Sequence, residues 1–236
     1  TIDTIVNPTS GWNSVTNPLD ADLGTNEETD EELRKRRAFS VSINAQNVID
    51  AIFSRVSNIV GVTSVTVLEN RTSANPDVNG LPPHSFEVIV EGGDDLTIAK
   101  TIFITRTGGV DSSGSTLVNI QDSQGFQQPI RFTRPSDVDI YVDLVVVKGL
   151  EYPVDGDAQI KQAIVDYAAG QLILWRRFSV GDEVIRTELY VPANIVDGVS
   201  ITSLQIGVSA LTANANIPIG LRELSAWDST RINISV

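Results

Sequence analysis

Pairs of aspartates come closest to a reactive site in this sequence. Asp94 and Asp95 follow Gly92-Gly93, and Asp155 and Asp157 belong to an Asp-Gly-Asp triplet. Neighbouring carboxylates bind Ca²⁺ or Mg²⁺, and such an ion supports metal-dependent hydrolysis. A helical pattern begins directly after Asp94, so a helix cap with a first-turn acid is the favoured interpretation. The triplet lacks the terminal glutamate of a calcium loop and is interpreted as a turn with a cap. If these aspartates bind a metal ion instead, the chain would be a metal-dependent hydrolase, which we keep as an alternative function.

Other reactive residue types are scarce or badly spaced for catalysis. Asp137, Asp139 and Asp143 share one face of an alternating segment, whereas glycosidases need two carboxylates that face each other across a cleft. That face is interpreted as a solvated or partner-facing surface. His84 is the only histidine and the chain has no cysteine, which excludes thiolate zinc sites and disfavours a histidine-based triad. The sequence predicts no catalytic residue, no metal site and no cofactor.

The stretch "GTNEETDEELRKRR" (24–37) is the most highly charged part of the chain. Thr29 and Glu32 form a capping box, and acid–base pairs at i,i+4 follow, namely Asp30/Arg34, Glu31/Lys35 and Glu32/Arg36. The pattern predicts a helix over 29–39. These cations are balanced by acids one turn earlier, so the stretch does not indicate a phosphate patch. We expect a salt-sensitive contact with a protein partner, made by Asp30, Glu31, Arg34, Lys35 and Arg36.

A second group of candidate contact residues ends the longest predicted helix, 157–175. Trp175 lies beside Arg176 and Arg177, and tryptophan and arginine are enriched at interface hot spots. The helical spacing also fits a Trp175 that closes the core. Both interpretations stay open, and the two arginines also suit the negative end of the helix dipole.

Composition excludes several classes of function. The 236 residues carry a net charge of −13, with 41 % hydrophobic and 20 % charged residues. This balance fits a globular protein and argues against nucleic acid or an anionic membrane as the main partner. No run approaches the ~20 apolar residues of a bilayer-spanning helix. The sequence starts at Thr1 and has no methionine, so we expect a processed or excised piece of a longer product.

Hydrophobic periodicity predicts an α+β fold with antiparallel or mixed sheets and packed helices. We expect an extended lead-in over 1–23 and two similar α+β domains over 24–134 and 135–236. A helix, a Gly-Val pair and a strand recur in 48–67 and in 184–206, which suggests a duplicated unit. The other predicted helices start near Val48, start after Asp94, and cover 181–191. The predicted strands are 62–68, 85–90, 116–120, 129–133, 137–147, 198–206 and 231–236.

The order of these segments resembles the baseplate J-like proteins of contractile phage tails. The stretch "SVTNPLDADLGTNEETDEELRKR" (14–36) is similar to their signature of an Asn-Pro, a glycine, an acidic Glu-Thr-Asp and a Leu-Arg-x-Arg. Later blocks follow in the same order, covering essentially the whole chain. They are "VGVTSVTVLEN" (60–70), "GLPPHSFEVIVEGGDDLTIAKTIF" (80–103), "GGVDSSGST" (108–116), "IRFTRP" (130–135) and "DGVSITSLQI" (197–206).

The resemblance implies a structural wedge subunit of a tail baseplate in the virion, assembled in the host cytoplasm. Its partners would be other wedge subunits and copies of itself, arranged in a ring around the central hub, with no nucleic acid, membrane insertion or small-molecule substrate. No catalytic residues come with the family. Its members usually have a further N-terminal region, which is missing or cut off here. A secreted binding or adhesin module is the remaining alternative.

Overall fold

The computed structural model describes residues 47–171 and 178–236. Helices pack on antiparallel and mixed sheets, which confirms the predicted α+β class. The helices are α1 (Val48–Ser57), α2 (Asp95–Thr105), α3 (Gly156–Ala168) and α4 (Tyr190–Ala193), with 3₁₀ turns at Arg186–Leu189 and Ser229–Arg231. The strands are β1 (Val62–Asn70), β2 (Ser85–Gly92), β3 (Asp111–Ser113), β4 (Thr116–Gln121), β5 (Gln127–Phe132), β6 (Ser136–Asp139), β7 (Tyr141–Lys148), β8 (Val199–Gly207), β9 (Glu223–Ala226) and β10 (Ile232–Ser235).

Strand β2 is the centre of the first half. It pairs antiparallel with β1 on one side and parallel with β3 on the other. Thr133 pairs with β2 on the same side as β3, further along the strand. Its N–H donates to Val88 O and its carbonyl accepts from Val90 N, both at 2.9 Å. The β4–β5 hairpin forms as predicted. Helices α1 and α2 bury their apolar stripes against these strands, and the core consists of Ile52, Val56, Phe86, Val88, Val90, Ile98, Ala99, Ile102, Ile120, Ile130 and Phe132.

The turn between β2 and α2 requires glycine. Gly92 has φ +75°, and a Cβ there would lie 2.1 Å from Gly61 O. Only a residue without a Cβ permits both the left-handed backbone and this close approach. The turn then leads directly into α2, so its geometry fixes where Asp94 and Asp95 lie.

Strand β7 is the centre of the second half. It pairs parallel with β10 and antiparallel with β8, while β6 and β9 form a separate parallel pair. Helix α3 packs its apolar stripe on the inner face of this sheet. The core consists of Ile140, Val142, Leu144, Val146, Ile160, Ala168, Ile164, Tyr167, Phe178, Val184, Leu189, Ala193, Val196, Leu204, Ile206, Ile217, Ile219 and Ile232.

The predicted single strand over 137–147 is wrong in one respect. The chain leaves the β6–β9 pair after Asp139 and enters the β7 sheet at Tyr141, so two strands meet at Ile140. The inward stripe is nevertheless as predicted, because Ile140 and the even-numbered positions of β7 up to Val146 are buried. Alternation reports which face is buried, but it does not report which strand lies alongside.

Two predicted helices have different bounds. Helix α3 ends at Ala168 rather than at 175, because Gly170 adopts φ +72° and its N–H donates to Tyr167 O at 3.0 Å. The predicted helix over 181–191 is a 3₁₀ turn followed by α4. Pro192 lies inside α4 rather than after it, since the first turn of a helix needs no bonded N–H. Strands β3 and β9 had not been predicted.

The helix–glycine–strand echo is present locally. Gly61 and Gly198 have φ values of +84° and +72°, and they lead into β1 and β8 respectively. Duplication of the whole unit, and the division of the chain at 134/135, stay predictions. A small third cluster contains Ile89, Val180 and Leu224, from both halves. In 47–171 and 178–236 no helix is long and apolar enough to cross a bilayer.

Candidate functional site

The predicted partner contacts fall outside the described residues. These contacts are Asp30, Glu31, Arg34, Lys35 and Arg36 in the charged stretch, with Trp175, Arg176 and Arg177. Their role stays a prediction.

Asp94 caps helix α2, as predicted. Its carboxylate accepts hydrogen bonds from the N–H and the hydroxyl of Thr97, at 2.9 and 2.8 Å. These bonds hold the pKa of the Asp94 carboxyl below its ordinary value. The Asp94 carboxylate therefore caps the N-terminus of α2, which confirms the interpretation as a helix cap.

Asp95 binds Arg134 rather than lying free beside Asp94. The Arg134 guanidinium lies 2.5 Å from Asp95 Oδ1 and also donates to the carbonyls of Gly92, Gly93 and Val90. One side chain from the end of the hairpin therefore closes the turn between β2 and α2. The Gly-Gly-Asp-Asp motif therefore connects β2 to α2. Both of its carboxylates make contacts within the chain, Asp94 with Thr97 and Asp95 with Arg134.

Asp155 and Asp157 do not act as a pair. Asp155 stands at the N-cap position of α3 without a side-chain cap bond, so the predicted cap is wrong in that respect. Asp157 accepts hydrogen bonds from Tyr152 Oη at 2.5 Å and Lys148 Nζ at 2.9 Å. The Tyr152 hydroxyl, followed by the ammonium of Lys148, lowers the pKa of the Asp157 carboxyl, while burial and Asp157 raise the pKa of Tyr152.

The aspartates of the outer strand face do not converge. Asp139 forms an ion pair with Arg231, Asp143 accepts from Thr212 Oγ1 at 2.6 Å, and Asp137 is exposed. His84 is also exposed, and its Nε2 lies 3.4 Å from Ser73 Oγ. Within the described ranges, no group of three or more His, Cys, Asp or Glu side chains has a metal-binding arrangement.

A buried ion pair was missed from the sequence. Glu87, in the middle of β2, is buried and accepts from Arg222 through Nε at 3.0 Å and Nη2 at 2.5 Å. Thr133 Oγ1 donates to the same carboxylate at 2.5 Å, and Arg222 also donates to Asn79 O. The only signal was an acid at an inward position of an apolar strand, and its partner lies 135 positions away.

A pocket of about 530 Å³ opens beside the loop that follows β1. Asn70 organises this loop, since its amide donates to the carbonyls of Ala74, Leu81 and Pro82. The exposed Arg71–Glu69 ion pair lies at its rim. Among residues 47–171 and 178–236, no buried polar side-chain atom without a hydrogen bond lines this pocket, so nothing there points to a bound ligand.

The loop between β7 and α3, residues 149–155, exposes apolar side chains to solvent. We call it the β7–α3 loop. Its two aliphatic side chains, Leu150 and Val154, are fully exposed, whereas Tyr152 between them packs against the core. The sequence alone does not indicate this surface, because apolar residues next to proline and glycine do not follow a helix or strand period.

No protein-family model matches the sequence, and no curated protein sequence matches it. Among solved structures, the chain is similar to a chain from the cryo-electron microscopy structure of the anti-feeding prophage (AFP) baseplate, 6-fold symmetrised. The sequence identity is 15 % and the TM-score is 0.46. The match covers 85 % of this chain and 42 % of the baseplate chain, so this chain spans less than half of that protein's length.

Proposed function

We propose that this chain is a structural wedge subunit of a contractile-tail baseplate, acting through protein–protein contacts rather than through catalysis. The observation that carries the proposal is the ordered series of sequence blocks that begins with "SVTNPLDADLGTNEETDEELRKR" (14–36) and resembles baseplate J-like proteins. One block alone would be a weak signal. The order of the later blocks along essentially the whole chain makes the resemblance specific.

The structure gives several of these blocks a shared role in shaping the fold. The block 80–103 forms β2, the glycine turn and α2, and the block 130–135 supplies Arg134. Arg134 donates to Gly93 O at 2.9 Å, so one block closes the turn made by another. Residues that shape a scaffold, rather than a reactive centre, are what an assembly subunit needs.

The partners under this proposal are neighbouring wedge subunits and copies of this chain, in a ring around the hub of the tail. The particle is a virion tail or a related injection particle, and the subunit assembles in the host cytoplasm. The net charge of −13 favours contacts with protein surfaces over contacts with nucleic acid.

Gene deletion tests the proposal. Cells that lack the gene should produce no complete baseplates by electron microscopy, and a plasmid copy should restore them. Complete, contractile particles in the deletion strain would contradict the proposal.

A further inference from the structure

The β7–α3 loop presents aliphatic side chains outward and its aromatic side chain inward. Leu150 and Val154 are fully exposed, and Val147, at the end of β7, is 54 % exposed. Singly scattered apolar residues are ordinary on a protein surface, but this group lies on one short stretch. Leu150 and Val154 do not pack against the core that Tyr152 contacts.

The loop is held in place by polar contacts on its inner side. Tyr152 Oη donates to Asp157 Oδ1 at 2.5 Å, and Lys148 Nζ lies 2.9 Å from Asp157 Oδ2 and 5.0 Å from the Tyr152 ring centre. At the start of the loop, Gly149 N donates to Gly198 O at 2.8 Å. A loop fixed before binding loses little conformational entropy when a partner covers it.

Exposed acids adjoin the exposed aliphatic residues along the chain. Glu151 follows Leu150, and Asp155 follows Val154, and both acids are exposed. Asp197 is exposed too, and it precedes Gly198, whose added Cβ would lie 2.9 Å from the carbonyl carbon of Glu151. In the described part of the chain none of these acids forms an ion pair, because the nearby Lys148 is bound to Asp157.

We infer that the β7–α3 loop, with Val147 and Asp197, is a docking surface for a protein segment whose apolar side chains are flanked by lysine or arginine. The apolar side chains cover Leu150 and Val154, and the cations meet Glu151, Asp155 and Asp197. The acids disfavour an anionic membrane as the occupant. These same acids disfavour a second copy that presents the same loop, because Glu151, Asp155 and Asp197 would then face like charges. This inference rests on the proposed function, which supplies the need for protein partners.

A random peptide library, selected on the full 236-residue chain, identifies the chemistry that this surface binds. Enriched peptides should combine Leu, Ile, Val or Phe with adjacent Lys or Arg. The L150S/V154S variant should bind them about tenfold more weakly, because two apolar contacts are removed. The E151Q/D155N variant should bind several-fold more weakly, with a flatter dependence on salt.

The matched control is V78S/L211S, which removes a similar pair of exposed aliphatic side chains from other loops. It should bind the selected peptides as the unchanged chain does. Selection of acidic or uncharged peptides, or of no peptide that is sensitive to L150S/V154S, would overturn the inference. So would self-association by analytical ultracentrifugation that L150S/V154S abolishes, because a second copy would then be the occupant.

This test distinguishes a failure of the docking surface from a failure of the proposed function. If the chain is absent from tail particles while the peptides bind as expected, the proposed function fails and the docking surface stands. If the chain is present in particles and L150S/V154S binds the peptides normally, only the docking surface fails.

Discussion

Arg222 forms an ion pair with the buried Glu87, and the pair joins parts of the chain 135 residues apart. The Nη2–Oε2 distance is 2.5 Å, and Nε donates to both carboxylate oxygens at 3.0 Å. The Glu87 side chain is 4 % exposed and that of Arg222 is 37 % exposed. Glu87 lies in the central strand of the first half, and Arg222 directly precedes β9 of the second half. The pair therefore joins β2 to the residue that precedes β9, in addition to the apolar cluster of Ile89, Val180 and Leu224.

Replacing Arg222 should destabilise the fold strongly. Among the described residues, Arg222→Met leaves the buried Glu87 carboxylate with Thr133 as its remaining hydrogen-bond donor, and we expect a loss of about 2–3 kcal/mol in the free energy of unfolding. Urea denaturation measures the change. The control is Arg71→Met, which breaks the exposed Arg71–Glu69 pair and should cost at most ~1 kcal/mol. Equal losses in the two variants would refute a special role for the buried pair.

Removing the Tyr152 hydroxyl should raise the pKa of Asp157. In Tyr152→Phe the strongest of the contacts that lower this pKa is gone, so it should move towards the ordinary 3.8. Because the folded pKa is depressed, the Asp157 carboxylate stabilises the fold above pH 3.8, and this stabilisation is lost as the pH falls through the folded value. The difference in stability between the two proteins should therefore shrink in acid.

An NMR titration of the Asp157 carboxyl carbon measures this pKa directly. Asp94, whose pKa is lowered by Thr97 rather than by Tyr152, should titrate alike in both proteins, which provides an internal control. An unchanged Asp157 titration in Tyr152→Phe would show that the 2.5 Å hydrogen bond is absent in solution.

Substituting Gly198 should displace the β7–α3 loop. In Gly198→Ala the new Cβ would lie 2.7 Å from Tyr152 N, in addition to the strain of φ +72°. Gly109→Ala carries the same backbone strain at φ +82°, but nothing lies within 4 Å of its Cβ. Both variants should lose about 1 kcal/mol to the left-handed backbone, and Gly198→Ala a further 1–3 kcal/mol or so to the clash.

Urea denaturation of both variants separates the two effects. If Gly198→Ala and Gly109→Ala lose the same stability, the close approach of Gly198 to the loop is not present in solution.

Local patterns in the sequence predicted most elements, and contacts between distant residues account for the failures. Asp94 capped its helix and the hairpin formed where expected, since both depend on neighbouring residues. The break at Ile140 depends on which strands lie beside β6 and β7, and periodicity carries no such information. Similarly, Glu87 gave a weak signal, but no local feature pointed to Arg222.

For the candidate site, too, local features were predictable and contacts between distant residues were not. Local pattern was enough to favour a helix cap over a metal site at Asp94, because a cap depends on neighbouring residues. It could not anticipate the β7–α3 loop, since the outward direction of Leu150 follows from the inward packing of Tyr152 against a distant core. The helix over 29–39 and its contact with a protein partner stay predictions.

Reversing charge in that stretch should weaken assembly. The variant Arg34→Glu/Arg36→Glu removes the cations of two predicted i,i+4 pairs, and we expect less incorporation into particles. The difference from the unchanged chain should shrink as salt rises, because salt screens the contact that the variant lacks. Quantitative mass spectrometry of purified particles measures incorporation, and circular dichroism checks folding. The control is Arg71→Glu, a reversal at an exposed arginine outside the stretch. Normal incorporation of the double variant would exclude this contact.

Locating the chain within a particle tests the central claim most directly. A tagged copy, labelled with gold and imaged by electron microscopy in particles from the native host, should appear at the baseplate end of the tail. Label spread along the tail or absent from every particle, while a tagged sheath protein labels normally, would contradict the assignment of this chain to a baseplate.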